Sequence, residues 1–455
     1  MTGQQDRDLD EALALVGREP PAVPQPAASE NRHGHHGHHA ASGKQPPAPE
    51  EHRAAAEKHR AAPWADARDR AARAGRAVPV SARRAPLDRA LGLILAGPLT
   101  ALTDLPSFDT SAMDGWAVSG PGPWRVSDGD GILAGHAEPE PLADGDAVRI
   151  ATGARIPRDA TAVVRTEHAR TDGRTGQLHA QRHVVTGQDI RPRGQECRTG
   201  DQLLPTGGLV TPAVLGLAAA AGYDELPVLP RPRVEVLVLG DELLADGLPH
   251  DGLIRDALGP MIGPWLRTLG AEVLATRWLG DDADVLRQAI AGSGADLVIT
   301  TGGTAAGPVD HVHPILHKLG AELLVDSVAV RPGHPMLLAR LADGRHLVGL
   351  PGNPLAAVSG LLTLADPLLR GLAGRAVVEA YAMPVTEEVH GHPYDTRLVP
   401  VVHRTDEVVP LHFHGPAMLR GIAAADGLAV VPSGGARAGQ LLEILDLPWA
   451  GECFT

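Results

Sequence analysis

The sequence predicts a multidomain protein of the α/β plus β class, in which one α/β domain is accompanied by β-rich domains. Three observations support this class. The chain has 455 residues, more than one small core needs. Its 53 glycines and 40 prolines indicate many turns rather than a helical bundle. Strands and helices alternate over residues 233–377, as in a parallel sheet covered by helices on both faces.

Composition excludes several classes of function. There are 41 Lys and Arg against 55 Asp and Glu, so the net charge is −14 and a broad basic face for nucleic acid is not expected. Two cysteines, Cys197 and Cys453, are too few for a disulfide scaffold or a four-cysteine zinc site. No signal peptide is visible, and the apolar runs are shorter than the ~20 residues of a membrane span. We therefore expect a cytoplasmic protein that binds neither nucleic acid nor a membrane.

Patterning changes along the chain. Residues 1–62 are rich in Pro, Ala and His and poor in β-branched residues, so they bury too little surface to offset their ordering entropy. A disordered tail is expected there. Short strands and turns then run to about Arg231. Strand patterning returns over residues 378–455 and predicts a separate, barrel-like β domain.

The tail contains a dense histidine cluster. Five of the seven residues from His33 to His39 are histidines. Clustered imidazoles bind Zn, Ni or Cu without a fold, so the tail is a candidate metal-handling segment. A low-complexity tail with incidental metal affinity is the simpler interpretation. Both interpretations stay open at this point.

The α/β pattern predicts individual elements. Strands are expected at Val234–Leu239, within Ala271–Leu279, at Leu297–Thr301 and at His346–Leu350, and helices at Gly259–Gly270, Asp282–Ala291, Val309–Leu319 and Leu355–Leu372. Ligands of such sheets bind at the carboxyl ends of the strands. The turns that follow these strands are therefore candidate binding segments.

Three of those turns are rich in glycine. They are Gly240–Leu243, Thr300–Gly307 and Pro351–Pro354, and all three are expected at the same edge of the sheet. Glycines let backbone N–H groups approach an oxyanion, and a following helix N-terminus favours negative charge. Each turn alone is explained equally well as a tight turn. Three turns on one edge favour a pocket for a phosphate or a pterin phosphate.

Further polar segments lie upstream. Ser107–Ala117 holds two carboxylates, hydroxyls and a glycine, which suit a hydrated metal or an oxyanion, or simply a capped turn. Arg149–Ala154, followed by Pro157, and Ile190–Glu196 are the other two segments.

Taken together, these segments resemble the molybdopterin molybdenumtransferase family, which includes the MoeA proteins and the gephyrin E domain. The family's S-A-M-D-G-Y-A corresponds to Ser111–Ala117, R-I-M-T-G-A-x-x-P to Arg149–Pro157, R-R-R-G-E-D to Arg191–Glu196, G-D-E-L to Gly240–Leu243, S-S-G-G-V-S-x-G-x-x-D to Thr300–Asp310 and P-G-N-P to Pro351–Pro354. Order and spacing match over about residues 78–375. The joint match is specific, although each motif alone is weak.

The resemblance implies a fold and an activity. Such enzymes insert molybdenum from molybdate into adenylylated molybdopterin, release AMP, require a divalent cation such as Mg²⁺ and are typically homodimers. A molybdopterin adenylyltransferase or a molybdoenzyme is the implied protein partner. The implied domains are an elongated discontinuous domain, an inserted β-rich domain, an α/β molybdopterin-binding domain and a C-terminal β domain, at residues 63–105 with 186–232, 106–185, 233–377 and 378–455.

The resemblance also implies site residues. Asp114, Glu242 and Asp310 are expected to be catalytic, and together with Asp241 they are expected to hold Mg²⁺, which prefers carboxylate oxygens. Arginines suit the substrate's phosphates because the guanidinium donates in pairs. The expected substrate-binding residues are Ser111, Thr152, Gly153, Arg191, Arg193, Gly302, Gly303, Thr304, Arg331, His334, Pro351, Gly352, Asn353 and Pro354.

The sequence departs from the family's phosphate loops. Leu239 and Leu258 replace residues with polar side chains, Ala305 replaces a serine, and Arg331 replaces the lysine of a K-P-G-x-P loop. Each lost hydrogen bond to a charged phosphate costs about 1.5–3 kcal/mol. Three functions therefore stay open: an active molybdenumtransferase, an impaired paralogue that binds or delivers the cofactor, and a metal-handling protein that acts through its histidine tail.

Overall fold

A computed structural model describes residues 61–450 except residues 128, 137, 305–310 and 377–378. The described chain forms two compact units, the first from residues 61–80 and 230–450 and the second from residues 81–229. The histidine cluster and nearly all of the expected tail lie outside the described residues, as do Ala305 and Asp310.

Helices occur in both units. In chain order they are α1 Trp64–Arg76, α2 Leu87–Ala90, α3 Pro212–Ala220, α4 Leu258–Thr268, α5 Ala283–Gly292, α6 Val312–Lys318, α7 Pro354–Gly360, α8 Asp366–Leu372 and α9 Arg420–Ala424, with a 3₁₀ turn at Thr166–His168 and a π-helical segment at Leu361–Ala365. The helices predicted over residues 233–377 are all present within a few residues of their expected bounds.

The π-helical segment joins α7 to α8, so the two form one long helix. Pro367 has no N–H for the preceding turn, and a wider turn accommodates that loss. By length and composition the helix Pro354–Leu372 could span a membrane, and 94% of its apolar window is buried inside the fold. A core helix has the same composition, so this is weak evidence for a membrane segment.

Short strands dominate the second unit. They follow β1 Ala62–Pro63, which belongs to the first unit, and are β2 Arg83–Pro86, β3 Ile94–Leu95, β4 Leu99–Thr100, β5 Thr110–Ser111, β6 Gly115–Val118, β7 Trp124–Val126, β8 Asp146–Ile150, β9 Ala162–Arg165, β10 Ala169–Thr171, β11 Gln177–Ala180, β12 Ile190–Arg191, β13 Gln202–Leu204 and β14 Glu225–Leu229. Six of them form a sheet in the order β10-β11-β7-β8-β6-β9, and the others form sheets of two or three strands.

The first unit contains the remaining strands. They are β15 Arg233–Leu239, β16 Leu243–Leu244, β17 Ile254–Arg255, β18 Glu272–Leu279, β19 Leu297–Thr301, β20 Glu322–Asp326, β21 Val328–Arg331, β22 Leu337–Arg340, β23 His346–Leu350, β24 Tyr381–Pro384, β25 Thr396–Arg404, β26 Glu407–Pro410, β27 Gly427–Val431 and β28 Leu441–Asp446. The mixed α/β and β architecture agrees with the predicted fold class.

The main sheet of the first unit has the order β18-β15-β19-β23-β22-β20. Strands β18, β15, β19 and β23 are parallel, as predicted. Strand β22 runs antiparallel to both of its neighbours, β23 and β20, which the prediction of a parallel sheet missed. The connection from β22 to β23 is only residues 341–345, and a link this short can join antiparallel strands but not parallel ones.

Helices cover both faces of this sheet. Alternate residues of β15 enter different cores, because successive side chains of a strand point to opposite faces. Val236 packs in the cluster that contains Ile262 of α4 and Leu355 of α7, whereas Leu237 packs with Ile290 of α5. The predicted three-layer α/β arrangement is confirmed.

The C-terminal strands belong to a second sheet of the first unit. Its order is β1-β21-β25-β27-β28-β24, with β26 paired to β25. Strand β21 pairs in parallel with β25, and Arg331 is the register partner of Arg397. This pairing joins the C-terminal strands to the loop that follows β21.

Candidate functional site

Three glycine-bearing turns lie at one edge of the main sheet. Strand β15 ends at Leu239, and the register pairs Val238 with Thr301 and Thr301 with Leu350. Each following turn therefore leaves the sheet at the same level. The N–H of Gly302 donates to the carbonyl of Leu350 at 2.9 Å, which ties two of the turns together. The predicted placement of the three turns on one edge is confirmed.

The turn after β19 requires glycine. Gly302 and Gly303 have φ values of +81° and +64°, in the left-handed region that L side chains rarely adopt. A Cβ on Gly303 would lie 3.1 Å from Val312 Cγ2, which is a tight contact, whereas a Cβ on Gly352 would lie at an ordinary contact distance of 3.7 Å from Gly302 Cα. Thr304 follows and is buried. The two glycines after β19 therefore leave backbone, rather than side chains, at the surface of that turn.

Two carboxylates follow β15 at the same edge. Asp241 and Glu242 are exposed, and the N–H of Asp281 donates to Asp241 Oδ1 at 3.3 Å. A Cβ on Gly240 would lie 2.4 Å from Glu242 Oε2, so the Glu242 carboxylate folds back over its own turn. Within the described ranges no group of three or more His, Cys, Asp or Glu side chains could hold a metal ion. The described residues alone therefore do not build a closed Mg²⁺ site, and Asp310 lies outside them.

Asp256 is a buried carboxylate with a structural role. Its Oδ1 accepts the N–H of Leu258 at 2.8 Å and of Gly259 at 3.1 Å, and its Oδ2 accepts Trp278 Nε1 at 2.7 Å. These bonds cap the first turn of α4 and fix the indole at the end of β18. Leu258 is buried in the core beneath that cap.

A cavity of about 360 Å³ opens beside the turn that follows β23. Its polar lining is supplied by Arg331, His334, Asn353, Arg397 and His414. The parallel pairing of β21 with β25 makes the two arginines register partners, which is why two guanidinium groups share one cavity. The cavity thus combines the predicted loop after β21 with residues of the C-terminal sheet.

Each guanidinium of the cavity is held by a partner. Arg331 Nε donates to Asp395 Oδ2 at 2.9 Å. Arg397 donates to the carbonyl of His390 and, through a terminal nitrogen, to His414 Nδ1 at 2.8 Å. Burial lowers the pKa of Arg397, yet a guanidinium stays charged at neutral pH because its ordinary pKa is so high.

The two histidines of the cavity differ in their hydrogen bonds. His334 Nδ1 lies 2.8 Å from the carbonyl of Val328, which only accepts, so Nδ1 carries the hydrogen and Nε2 remains for a molecule in the cavity. His414 Nδ1 accepts from Arg397, which only donates, so the hydrogen of His414 lies on Nε2. Burial, and then the charge of Arg397, lower the pKa of His414 and keep its imidazole neutral.

The first N–H groups of α7 are already engaged. Pro354 has no N–H, and those of Leu355 and Ala356 donate to the carbonyl of Pro416 at 2.9 and 3.4 Å. Asn353 precedes the helix with an extended backbone. The positive charge of the cavity therefore comes from side chains rather than from free amides of this helix.

In the second unit the three upstream segments meet around β5. Strand β5 pairs antiparallel with β12, and the N–H of Ser111 donates to the carbonyl of Ala154 at 2.9 Å. The N–H of Gly153 donates to the carbonyl of Ser111 at 2.8 Å, and Gly153 has a φ of +80°. Segments that are up to eighty residues apart along the chain thus form one local structure.

Asp114 is an exposed carboxylate of that structure. Its Oδ1 accepts the N–H of Thr152 at 2.7 Å, and this bond lowers the pKa of Asp114, so the carboxylate is ionised at neutral pH. Thr152 is also exposed. Ser111 is fully buried, and its hydroxyl donates to the carbonyl of Met113 at 2.6 Å. A ligand at this surface would therefore meet Asp114 and Thr152 before Ser111.

The two arginines of this structure differ in their contacts. Arg191 is exposed, and its backbone pairs with β5. Arg193 Nε donates to Asp104 Oδ2 at 2.5 Å, and the N–H of Arg193 donates to Asp109 Oδ1 at 2.6 Å. Hydrogen bonds from Thr199, and then from Arg193, lower the pKa of Asp104 to about 2. Arg193 thus holds its own loop in place.

Three family profiles match in succession: MoeA N-terminal region (domain I and II) over residues 62–222, probable molybdopterin binding domain over 235–371, and MoeA C-terminal region (domain IV) over 382–447. Molybdopterin molybdenumtransferase 2 of Mycobacterium tuberculosis is 36% identical over 390 residues, which cover 80% of this chain and 94% of the relative. The chain belongs to the molybdopterin molybdenumtransferase family.

Other relatives agree with this family. A molybdopterin molybdenumtransferase of Staphylococcus aureus is 32% identical over 381 residues, covering 79% of this chain and 90% of the relative. Two crystal structures of a molybdopterin biosynthesis MoeA protein from Pyrococcus horikoshii superpose with TM-scores of 0.70 and 0.68 at 24% and 20% identity. They cover 85% of this chain and 99% and 100% of those chains, and they show the shared fold.

In this molybdenumtransferase family member, the aliphatic side chain of Leu239 packs at the edge of the main sheet. Leu239 is 9% exposed, and its Cδ1 would lie 3.4 Å from a Cβ on Gly303. Leu239 stands where the family's loop carries a hydroxyl. Thr300 Oγ1 is buried nearby along β19 without a hydrogen-bond partner in the described part of the chain. This edge therefore offers fewer exposed hydroxyls than the family motif.

Sequence reasoning missed two of the five polar residues that line the cavity of this family member. Arg397 lies in β25 and His414 in the loop between β26 and α9, where no motif was singled out, and Asp395 holds Arg331 from the same region. One available signal was the recurrence of His at residues 390, 392, 403, 412 and 414, outside the tail. That recurrence alone does not reveal which strand pairs with β21.

Proposed function

We propose that this chain inserts molybdenum from molybdate into adenylylated molybdopterin and releases AMP. This proposal rests on the cavity of about 360 Å³, which is lined by two arginines, Arg331 and Arg397, and two histidines, His334 and His414. Membership of the molybdopterin molybdenumtransferase family supplies the reaction, and the cavity supplies a place for its oxyanion.

The cavity suits a tetrahedral dianion. Its volume equals roughly a dozen water molecules at ~30 Å³ each, enough for molybdate and the reacting end of a pterin. Arg397 and Arg331 donate charged N–H groups, and Asp395 neutralises only one of the two arginines. The Nε2–H of His414 adds a neutral donor with a fixed position. A net-acidic protein thereby concentrates positive charge at one point.

The sheet edge suits the phosphates of the pterin substrate. The turns at the carboxyl ends of β19 and β23 contain Gly302, Gly303, Thr304 and Gly352. Glycines there let backbone N–H groups approach a bound phosphate. Leu239 lacks the hydroxyl of the family motif, and one lost charge-assisted bond of about 1.5–3 kcal/mol weakens binding by about tenfold to 150-fold. We expect the substrate to bind more weakly at this edge than it would beside a hydroxyl.

Mg²⁺ is the proposed cation of the reaction. Mg²⁺ is commonly held by one or two carboxylates together with substrate phosphates, which suits the exposed Asp241 and Glu242 beside those turns. The family motifs also imply Asp114 and Asp310 as ligands, and that part of the proposal rests on the motifs alone. When bound, the cation would offset phosphate charge.

Other parts of the proposal follow from the family alone. They are a homodimeric state, a cytoplasmic location, and a molybdopterin adenylyltransferase or a molybdoenzyme as protein partner. The five-part division of the chain at residues 62, 105, 185, 232 and 377 is likewise proposed. Neither the carrier function nor the metal-handling function is favoured by an observation, since the relatives named above are transferases by name.

The test is a matched pair of arginine variants. Arg397→Met keeps the alkyl stem and removes the guanidinium, whereas Arg267→Met makes the same change at an exposed position of α4 outside the cavity lining. We expect Arg397→Met to weaken molybdate binding at least tenfold by calorimetry and to slow molybdenum insertion, with an unchanged melting temperature. The Arg267→Met protein should behave as wild type. Equal molybdate affinity in all three proteins would contradict the proposed site.

A further inference from the structure

We infer that His334 is a catalytic residue that moves a proton from the pterin dithiol to the departing oxygen of molybdate. This inference rests on the proposed function, because it concerns the same cavity and reaction. It assigns a role in chemistry, beyond anion binding, to a side chain that lines the cavity beside Arg331 and Arg397.

The reaction itself requires proton movement. Molybdate, MoO₄²⁻, reacts with a dithiol, R(SH)₂, to form R(S)₂MoO₃²⁻ and one water. Two Mo–S bonds form, one Mo–O bond breaks, and both thiol protons leave on the departing oxygen as water. Atoms and charge balance without an oxidant or a reductant. A group that accepts a proton from sulfur and returns it to oxygen speeds such a step.

Among the described residues that line the cavity, His334 alone has a free nitrogen that can both accept and donate a proton. The guanidinium groups of Arg331 and Arg397 only donate and do not deprotonate. His414 cannot exchange a proton through Nδ1 without breaking its bond to Arg397. The amide of Asn353 is not an acid. His334 Nδ1–H is held by the carbonyl of Val328, so the ring is oriented and Nε2 is available.

The surroundings of His334 favour proton delivery to an anion. Arg331 ends β21 just before the loop that carries His334, whereas Arg397 of β25 and His414 of the loop after β26 reach the cavity from the C-terminal part of the chain. Asp395 binds Arg331, and His392 Nδ1 lies 3.3 Å from Asp395 Oδ2. An oxyanion held by the two arginines would lie in the same cavity as Nε2. The loop reads Arg331-Pro332-Gly333-His334-Pro335, so the histidine occupies the unspecified position of the K-P-G-x-P motif.

The decisive variants separate proton transfer from anion binding. His334→Gln keeps a polar side chain of similar length and cannot transfer a proton, and His334→Ala opens a space for added imidazole. His414→Gln is the matched control, because it removes the other imidazole of the cavity. The probes are molybdate, for affinity by calorimetry, and adenylylated molybdopterin with molybdate and Mg²⁺, for single-turnover insertion and AMP release over pH 5.5–8.5.

We expect His334→Gln to slow insertion at least a hundredfold while molybdate affinity changes less than threefold. The pH dependence of insertion should differ between this variant and wild type. Imidazole should restore at least a tenth of the lost rate to His334→Ala. His414→Gln should lose molybdate affinity and keep the wild-type pH dependence of insertion.

Three results would overturn the assignment. Wild-type insertion rates in His334→Gln would exclude proton transfer by this residue. A loss of molybdate affinity that accounts for the whole loss of rate would make His334 an anion ligand only. Failure of wild type itself to insert molybdenum would refute the proposed function and, with it, this role, whereas an active wild type with an unaffected His334→Gln refutes only the role of His334.

Discussion

Replacing His346 by leucine should make the protein less sensitive to acid. His346 lies in β23, is 1% exposed, and neither ring nitrogen has a hydrogen-bond partner in the part of the chain that the structure describes. Its register partner on the antiparallel neighbour is Arg340. Burial, and then the charge of Arg340, lower the pKa of His346 in the folded protein.

The size of the effect follows from proton linkage. An unfolded histidine has a pKa of about 6.5, so below that pH the unfolded chain binds a proton that the folded chain does not. Each pH unit below 6.5 therefore lowers the free energy of unfolding by up to about 1.4 kcal/mol, until the folded pKa is reached. From pH 8 to pH 5 the loss from His346 is up to about 2 kcal/mol. Above pH 7 this contribution vanishes.

Urea unfolding followed by circular dichroism measures this prediction at pH 8 and pH 5. The free energy of unfolding of His346→Leu, relative to wild type, should rise by up to about 2 kcal/mol between the two pH values. An unpaired buried polar group costs about 1–3 kcal/mol of stability, so at pH 8 the variant should already be more stable than wild type by part of that amount. His317→Gln, at an exposed position of α6, is the control and should follow wild type. If the free energies of unfolding of His346→Leu and wild type differed by the same amount at both pH values, the reasoning would be refuted.

Three further predictions concern packing and charge. Gly371→Ala should destabilise the protein by about 1–3 kcal/mol, because the added Cβ would lie 2.7 Å from a backbone nitrogen of α1. Gly216→Ala is the control in α3, where the added Cβ meets open space, and it should be neutral or stabilising by about 0.5–1 kcal/mol. Equal unfolding midpoints of the two variants would contradict this prediction. Asp114→Asn keeps an oxygen for the N–H of Thr152 and should lose more than a hundredfold in single-turnover insertion without a change in melting temperature, so an active variant would remove Asp114 from the site. Asp104→Asn should lower the melting temperature at pH 7. The difference in melting temperature from wild type should shrink as pH falls from 4 toward 2, because the lowered pKa of Asp104 stabilises the fold only while the carboxylate is ionised.

The α/β elements of the first unit were predictable because their signals are local. A buried strand such as Leu297–Thr301 is a short apolar run that ends at glycines, and a helix such as Ala283–Gly292 begins at Asp282, whose carboxylate accepts two N–H groups of the first turn. Strands β20 and β22 lie in a region with weak period-two patterning, so their antiparallel pairing went unpredicted. The glycine turns were located correctly because parallel strands end on one edge.

The cavity was only partly predictable from the sequence, for a physical reason. Motif order identified Arg331, His334 and Asn353, but pairing of β21 with β25 is a long-range register choice between strands about seventy residues apart. That choice brings Arg397 opposite Arg331 and, through Arg397, fixes His414. Neither hydrophobic period nor residue spacing encodes this partner. The hydrogen-bonding state of each histidine also depends on that pairing.

Molybdenum transfer by this chain is tested most directly by a single-turnover reaction of the purified protein with adenylylated molybdopterin and Mg²⁺, with and without molybdate. AMP release and dithiolene-bound molybdenum are measured in the same samples. We predict that both form together and only when molybdate is present. Tight binding of the pterin without AMP release, or AMP release that does not depend on molybdate, would contradict it.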